Sequence, residues 1–204
     1  MKIGFNARLL LQNKLEGIGW HAYEMISRLI QLRKEDTFYL FYDRKNGILI
    51  PEGKNVIVII LSPPTRHPVL LHIWSDYILH QALVKNKVDL FYSPEPILPK
   101  KINVPSIITV HDISPITFPI GMSKADVFYY KKILVRNTSL ATIVITVSNY
   151  SKSEIIKYNL CSSNKVEIIY NGIRSGFGPV SETVKQSTKN RYTGGKPYFI
   201  VIGS

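Results

Sequence analysis

An α/β fold, with a mostly parallel sheet covered by helices on both faces, is what the sequence predicts, on three observations. Apolar runs alternate along the whole chain with segments whose apolar residues recur at helical spacing. Those runs are apolar at nearly every position, the pattern of strands buried on both faces. At 204 residues one core suffices, because a chain of this size buries roughly 70% of the surface it exposes when unfolded. Together they describe a doubly wound, Rossmann-like domain.

Lys2 to Asn6 is a short apolar strand, and Gly17-Ile18-Gly19 opens a helix with Ile18, Ala22, Met25, Ile26, Leu29 and Ile30 on one face. Thr37 to Tyr42 and Val56 to Leu61 are β-rich, parted by the turn signals Asn46-Gly47 and Pro51-Glu52-Gly53. After Pro68, the residues Leu70, Leu71, Trp74, Ile78 and Leu83 recur at helical spacing, and Asp89 to Tyr92 is a brief strand ending at Ser93-Pro94. Ser106 to Val110 is a strand that runs into His111-Asp112. A loop punctuated by Pro115 and Pro119 leads to a helix from about Ser123 to Leu140. Thr142 to Val147 is the next strand, Ser148 and Ser151 offer N-cap chemistry for a helix through Tyr158, and Val166 to Tyr170 is the last strand before Asn171-Gly172.

Residues 1–173 thus read as one domain. From Arg174 to Lys196 the composition shifts to Ser, Thr, Gly, Lys and Gln, as in an exposed interdomain connection. Pro197 to Ser204 reads as the opening strand and glycine turn of a second domain, so the expectation is a chain truncated at the start of that domain, its last strand frayed or borrowed by a neighbour.

Cys161 is the only cysteine, which excludes an intrachain disulfide and a cysteine metal cluster. The start lacks the pattern of a signal peptide, and the longest aliphatic run, Val56 to Leu61, is too short to span a bilayer. A cytoplasmic protein is expected. The net charge of +12 calls for an anionic partner: nucleic acid, anionic lipid or a phosphorylated substrate. Lys124, Lys131, Lys132 and Arg136 fall on one predicted helix, with Lys152 and Lys157 on the next; a solvated helix face is the plainer reading. Tyr129 and Tyr130 adjoin the lysines, but no nucleic-acid motif accompanies them, so no specific nucleic acid is expected.

Ligands of open parallel sheets gather beyond the carboxyl ends of the strands. Four loops there carry suggestive chemistry. Gly17 and Gly19 would let backbone amides approach phosphate oxygens, although turns of this composition are common and the full dinucleotide fingerprint is absent. His111 follows a strand directly, where an imidazole can serve a substrate hydroxyl or a developing charge, while Asp112 caps or braces the next turn. Ser148, Tyr150 and Ser151 either line a cleft or cap a helix. Glu95, between two prolines, is a candidate for an acceptor hydroxyl or a plain surface carboxylate. No serine-hydrolase elbow, Walker loop, zinc spacing or calcium loop is present.

In order, these stretches resemble the amino-terminal half of glycosyltransferase family 4, the retaining nucleotide-sugar transferases of GT-B architecture. Gly4-Phe5-Asn6-Ala7-Arg8-Leu9-Leu10 with Glu16-Gly17-Ile18-Gly19 looks like the family's first strand and glycine turn. Val110-His111-Asp112-Ile113 with Phe118-Pro119 is similar to its His-Asp loop, and Ile145-Thr146-Val147-Ser148 with Tyr150-Ser151 to its next strand-to-helix turn. Tyr170-Asn171-Gly172-Ile173, with Phe177 and Pro179, looks like the entry to its hinge. The resemblance implies an acceptor-side domain facing a donor domain that this chain lacks, and hence a fragment with little or no activity alone. It implies His111 as the catalytic-site residue touching the transferred sugar and Gly17 and Gly19 at the donor phosphates; Arg8, Glu95, Asp112, Ser148, Tyr150 and Ser151 are candidates, on their residue types and places alone, for the acceptor or the cleft lining. No metal and no cofactor beyond the nucleotide-sugar co-substrate are implied. The acceptor would be a glycan or lipid-linked glycan, at an anionic membrane surface that Lys131, Lys132 and Arg136 would meet. Trp20-His21 is a departure, since many relatives have a basic residue and an aromatic there; Arg8 is either the alternative phosphate partner or a brace of the first loop. The rival readings are a non-catalytic subunit of a split transferase and a basic nucleic-acid-binding module.

Overall fold

The computed structural model describes residues 1–173 and 177–201. Arg174 to Gly176, where the expected connection begins, and Ile202 to Ser204, where the expected final strand ends, lie outside the described residues. The chain divides after Asn171 into a large unit and a small one.

Within the large unit, seven strands form one sheet: β1 (Lys2–Asn6), β2 (Thr37–Tyr42), β3 (Val56–Ile60), β4 (Leu90–Ser93), β5 (Ser106–Thr109), β6 (Ile143–Thr146) and β7 (Val166–Ile168). Their order is β3-β2-β1-β4-β5-β6-β7, and every pairing is parallel. The direction of winding reverses between β1 and β4, the switch point at which open sheets of this kind leave a crevice. The α/β, Rossmann-like expectation holds, with each strand predicted before Asn171 found within a residue or two of its expected ends.

The helices follow from where apolar residues recur. On one face α1 (Gly17–Leu32) sets Ala22, Ile26 and Ile30 against Phe5, Phe38 and Leu40. Gly19 rather than Ile18 takes the inward place at its start; Ile18 is exposed. The opposite face carries α2 (Pro68–Ile73), a π-helical turn (Trp74–Leu79), α3 (His80–Lys85), a short α4 (Ser114–Thr117), α5 (Lys124–Leu140) and α6 (Asn149–Lys157). Trp74, Leu83, Phe91, Leu134, Val144 and Ile155 fill the core there. Each fully buried aromatic or aliphatic side chain contributes on the order of 2 kcal/mol.

Residues 68–85 correct the expected helix at one point. The wide π turn places five residues, not four, between successive inward positions, so Leu79 and not Ile78 joins Trp74 in the core. In β1, a Cβ on Gly4 would lie 3.0 Å from Phe41 Cε2 and 3.0 Å from Val88 Cγ1, so glycine allows β2 and α3 to close on the strand. The register pairs Phe5 with Tyr92, which sets Asn6 beside Ser93 at the mouth of the switch point.

The small unit holds α7 (Glu182–Thr193), which begins where Ser181 Oγ accepts from Val184 N and ends at Gly194 in the left-handed region, φ 61°. The stretch read as an exposed connection therefore carries a capped helix with no buried residue. Pro197 to Val201, expected to open a strand, carry no strand assignment: an isolated segment has no ladder to complete, and Phe199 and Val201 are exposed.

Candidate active site

At the carboxyl end of β1, Asn6 is 1% exposed and donates from Nδ2 to Ser93 Oγ (3.0 Å) and to Glu95 Oε1 (3.1 Å), which bridges the switch point. Arg8 donates from Nε to Glu95 Oε1 at 3.0 Å and pairs through Nη2 with Oε2. The two side chains thus meet as a planar fork on a carboxylate. Arg8 Nη1 also donates to Thr65 Oγ1 (3.3 Å), while Thr65 gives both its N–H and its hydroxyl to Asp43 Oδ2, each at 2.7 Å. Fully buried Asp43 takes two further bonds of 2.7 Å from Arg44. Burial opposes the charge on Arg8, yet Glu95 beside it raises its pKa above the ordinary value. Burial likewise works to raise Asp43, but the Arg44 fork and Thr65 prevail and hold its carboxyl below the usual range.

Glu95 and Arg8 are therefore brought together, with their polar atoms spent on each other, on Asn6 and on Thr65, and Glu95 is buried rather than the plain surface carboxylate its sequence setting suggested. Their effect is to fix the loop after β4. Ser93 Oγ donates to Glu95 O (2.8 Å) and Asn137 Nδ2 to Pro96 O (2.6 Å), so the Pro94 carbonyl between them is held in place. That carbonyl accepts from His111 Nε2 at 3.0 Å. Since a carbonyl only accepts, the neutral His111 ring carries its proton on Nε2 and presents a lone pair at Nδ1. Nδ1 has no hydrogen-bond partner among the described residues.

The His21 ring meets the His111 ring edge to face, centroids 4.7 Å apart. His21 Nδ1 lies 3.2 Å from Asn171 Oδ1 and its Nε2 lies 3.5 Å from the Tyr92 hydroxyl, which is 2.9 Å from Thr109 Oγ1. Burial lowers the pKa of both imidazoles; the neighbouring ring lowers His21 further, and in His111 the Pro94 bond, Asp112 and Glu95 oppose the shift without reversing it. Both rings are neutral at pH 7. His21 is the residue that sequence reasoning passed over: it stood out only as a departure after the glycine turn, and its partners lie 71 to 150 positions away along the chain.

The remaining candidates divide by role. Ser148 caps α6, accepting from Ser151 N at 3.0 Å, and Ser151 Oγ donates to His111 O at 3.1 Å, tying the helix to the histidine backbone. Tyr150 is exposed. Asp112 Oδ1 accepts from Ser114 N (2.8 Å) and Ser114 Oγ (2.5 Å), bracing the turn into α4. Gly17 is exposed, and a Cβ there would meet nothing within 4 Å; a Cβ on buried Gly19 would lie 3.1 Å from the Leu9 carbonyl, so α1 closes on the preceding loop there. Among the described residues no group of three His, Cys, Asp or Glu side chains is placed to hold a metal ion. Of the basic helix residues, Arg136 turns inward to Asp76 (2.9 Å) and the Leu98 carbonyl (3.3 Å), whereas Lys124, Lys131 and Lys132 are exposed.

Comparison with known proteins matches residues 15–176 to a family model described as Glycosyltransferase Family 4. The chain is 30% identical over 169 residues to O-antigen chain mannosyltransferase B of Escherichia coli, covering 77% of this chain and 43% of that protein. Among solved structures it is similar in fold to Anabaena HepE in complex with UDP-glucose (TM-score 0.54, 16% identity), with 94% of this chain and 49% of that one covered. A glycosyltransferase from Rickettsia africae gives a TM-score of 0.53 at 12% identity, covering 96% of this chain and 50% of that one. A sucrose-phosphate synthase structure from Thermosynechococcus elongatus gives 0.54 at 12%, with 95% and 98% covered. The chain thus spans less than half the length of the mannosyltransferase it matches.

Proposed function

The chain belongs to glycosyltransferase family 4, and from that premise we propose that it is the acceptor-side half of a retaining enzyme that moves a sugar from a nucleotide-sugar to a glycan or lipid-linked glycan. The observation that carries this reading is the neutral His111 at the switch point, its Nε2 proton fixed on Pro94 O and its Nδ1 lone pair open to a sugar hydroxyl. In the transfer, the bond from the anomeric carbon to the diphosphate oxygen breaks as the bond to the acceptor oxygen forms, and the acceptor hydroxyl gives up its proton. The chain's part is to hold the acceptor oxygen and the sugar at contact distance. Mannose is the first donor sugar to test, since the curated relative is an O-antigen chain mannosyltransferase. The donor nucleotide is assigned to a second half, as the matched stretch of that relative is 43% of its length.

The 204-residue chain alone is accordingly expected to show no turnover with a panel of nucleotide-sugars. Fused to the carboxyl-terminal half of the mannosyltransferase relative, it is expected to transfer mannose with retained anomeric configuration, read by NMR of the product. Turnover by the isolated chain would refute the division of labour.

The site proposed for the acceptor is an anionic membrane surface. Lys124, Phe128, Lys131 and Lys132 are exposed on α5, and Phe118 and Ile120 in the loop before it are exposed too; each lysine near such a surface contributes about 1 kcal/mol. No helix among the described residues is long and apolar enough to cross a membrane. Flotation with anionic vesicles, but not with neutral ones, is the expected outcome.

A further inference from the structure

The chain leaves the large unit at Asn171, and the residues just before that exit are tied down one after another. Ile169 N donates to Thr146 O (2.9 Å), the Tyr170 hydroxyl accepts from Asn149 Nδ2 at the start of α6 (2.8 Å), and Asn171 Oδ1 lies 3.2 Å from His21 Nδ1. A Cβ on Gly172, the next residue, would meet nothing within 4 Å. Among the described residues of the large unit, His21 is thus the last anchor on the outgoing chain. It is also the ring that meets His111, at 90° and with centroids 4.7 Å apart. An amide oxygen only accepts, so His21 carries its proton on Nδ1 and turns the Nε2 lone pair to the Tyr92 hydroxyl, 3.5 Å away. The buried Tyr92 hydroxyl donates there and accepts from Thr109 Oγ1 at 2.9 Å. Thr109, Tyr92, His21 and Asn171 therefore form one directed chain in which each hydrogen is used once.

We infer that Asn171 and His21 are positioning residues that form a relay to His111, so that the path of the outgoing chain sets the aim of the His111 Nδ1 lone pair. The inference rests on the glycosyltransferase reading only for what that lone pair meets. Most of the His111 surroundings are fixed without the relay. Ser151 Oγ holds the His111 carbonyl at 3.1 Å, and the Pro94 carbonyl is set by the bonds to Glu95 O and Pro96 O on either side of it. The ring itself is held at a single point, the Nε2–H bond to Pro94 O. A ring held at one point can swing about that bond, and the shallow, two-fold torsion of an imidazole offers little resistance of its own. The His21 ring, packed edge to face, blocks that swing to the extent that His21 is itself held. Of its two ties, the bond to Asn171 is the shorter, so the hold on His111 passes through the exposed amide at the exit of the chain. Burial keeps both imidazoles neutral, and no charge repulsion parts them.

Two variants separate the relay from plain packing. Asn171→Ala removes only an exposed side chain, and His21→Phe keeps a ring beside His111 while losing both hydrogen bonds. Exchange of the His111 Nε2 proton with water is read by heteronuclear NMR on the 204-residue chain, with His111→Gln identifying its signal among the five histidines. Each variant is expected to speed that exchange about fivefold, the weight of one neutral hydrogen bond, and the double variant no more than His21→Phe alone. Unchanged exchange in Asn171→Ala overturns the relay, as do effects that add in the double variant or a parent chain whose His111 proton exchanges too fast to be seen. In the fused enzyme, Asn171→Ala is expected to lower kcat about fivefold with the nucleotide-sugar and acceptor KM values unchanged. Transfer with an unchanged kcat overturns the relay and spares the glycosyltransferase reading. Faster exchange in both variants, with no transfer by any fused form, supports the relay's hold on the ring and counts against that reading.

Discussion

Two polar clusters stand at the carboxyl end of β1, and they differ in one respect. In the first, Arg8, Glu95, Asn6, Thr65 and Asp43 are buried or nearly so and bonded to one another. In the second, Gln12, Asn13, Lys14 and Glu16 are exposed and bonded to nothing among the described residues beyond their backbone. Residue types barely distinguish them, since both contain a cation, a carboxylate and an amide. Commitment does: a buried polar group with its bonds made inside the protein serves the fold, and an exposed one bonded to water is exchanged at little cost.

The sharpest way to break the contrast is to unpair the first cluster. Glu95→Ala leaves Arg8 buried without its counter-ion and is expected to cost about 3–5 kcal/mol, read by urea denaturation. The joint variant Arg8→Met with Glu95→Leu is expected to recover most of that loss, because a buried pair can be exchanged for apolar groups of similar volume at little cost. If both behave as silent surface changes, the pair is not structural. Thr65→Val should cost less, about 1–2 kcal/mol, since one hydroxyl bridging Asp43 and Arg8 is lost.

A third test falls on the imidazole pair between the clusters. Because the folded-state pKa values of His21 and His111 lie below 6.5, the unfolded chain binds more protons as the pH falls. Their contribution to stability is complete above about pH 6.5 and is lost below it. Melting temperature should therefore be level above pH 7 and fall on acidification, with a shallower slope in His21→Gln. The smallest effect belongs to the second cluster: Gln12→Ala and Glu16→Ala should each alter stability by less than about 0.5 kcal/mol, read by urea denaturation.

These contrasts also mark what the sequence could disclose. Continuous apolar runs announced all seven strands, because strands covered on both faces leave no room for polar alternation. Ile78 was expected where Leu79 sits, since a π turn leaves no sequence mark that spacing can detect. In residues 182–193 the end signals, Ser181 and Gly194, were legible, but with no apolar stripe between them the helix went unread. His111 was singled out because it follows a strand directly. His21 was not, because its standing comes from a ring contact with a residue 90 positions away. Arg136 looked like part of a basic face for the same reason: its partner Asp76 lies 60 positions earlier.

The loop from Gln12 to Glu16 has one further consequence. Its main chain is anchored through carbonyls and amides, Leu15 packs against the core, and Gln12, Asn13, Lys14 and Glu16 make no side-chain hydrogen bond or ion pair among the described residues. Point changes at Gln12, Lys14 and Glu16 are therefore nearly invisible to folding, whereas Asn13, at φ 56°, sits in the left-handed region that asparagine and glycine favour. Family members should accordingly vary freely at those three positions and little at the two between them.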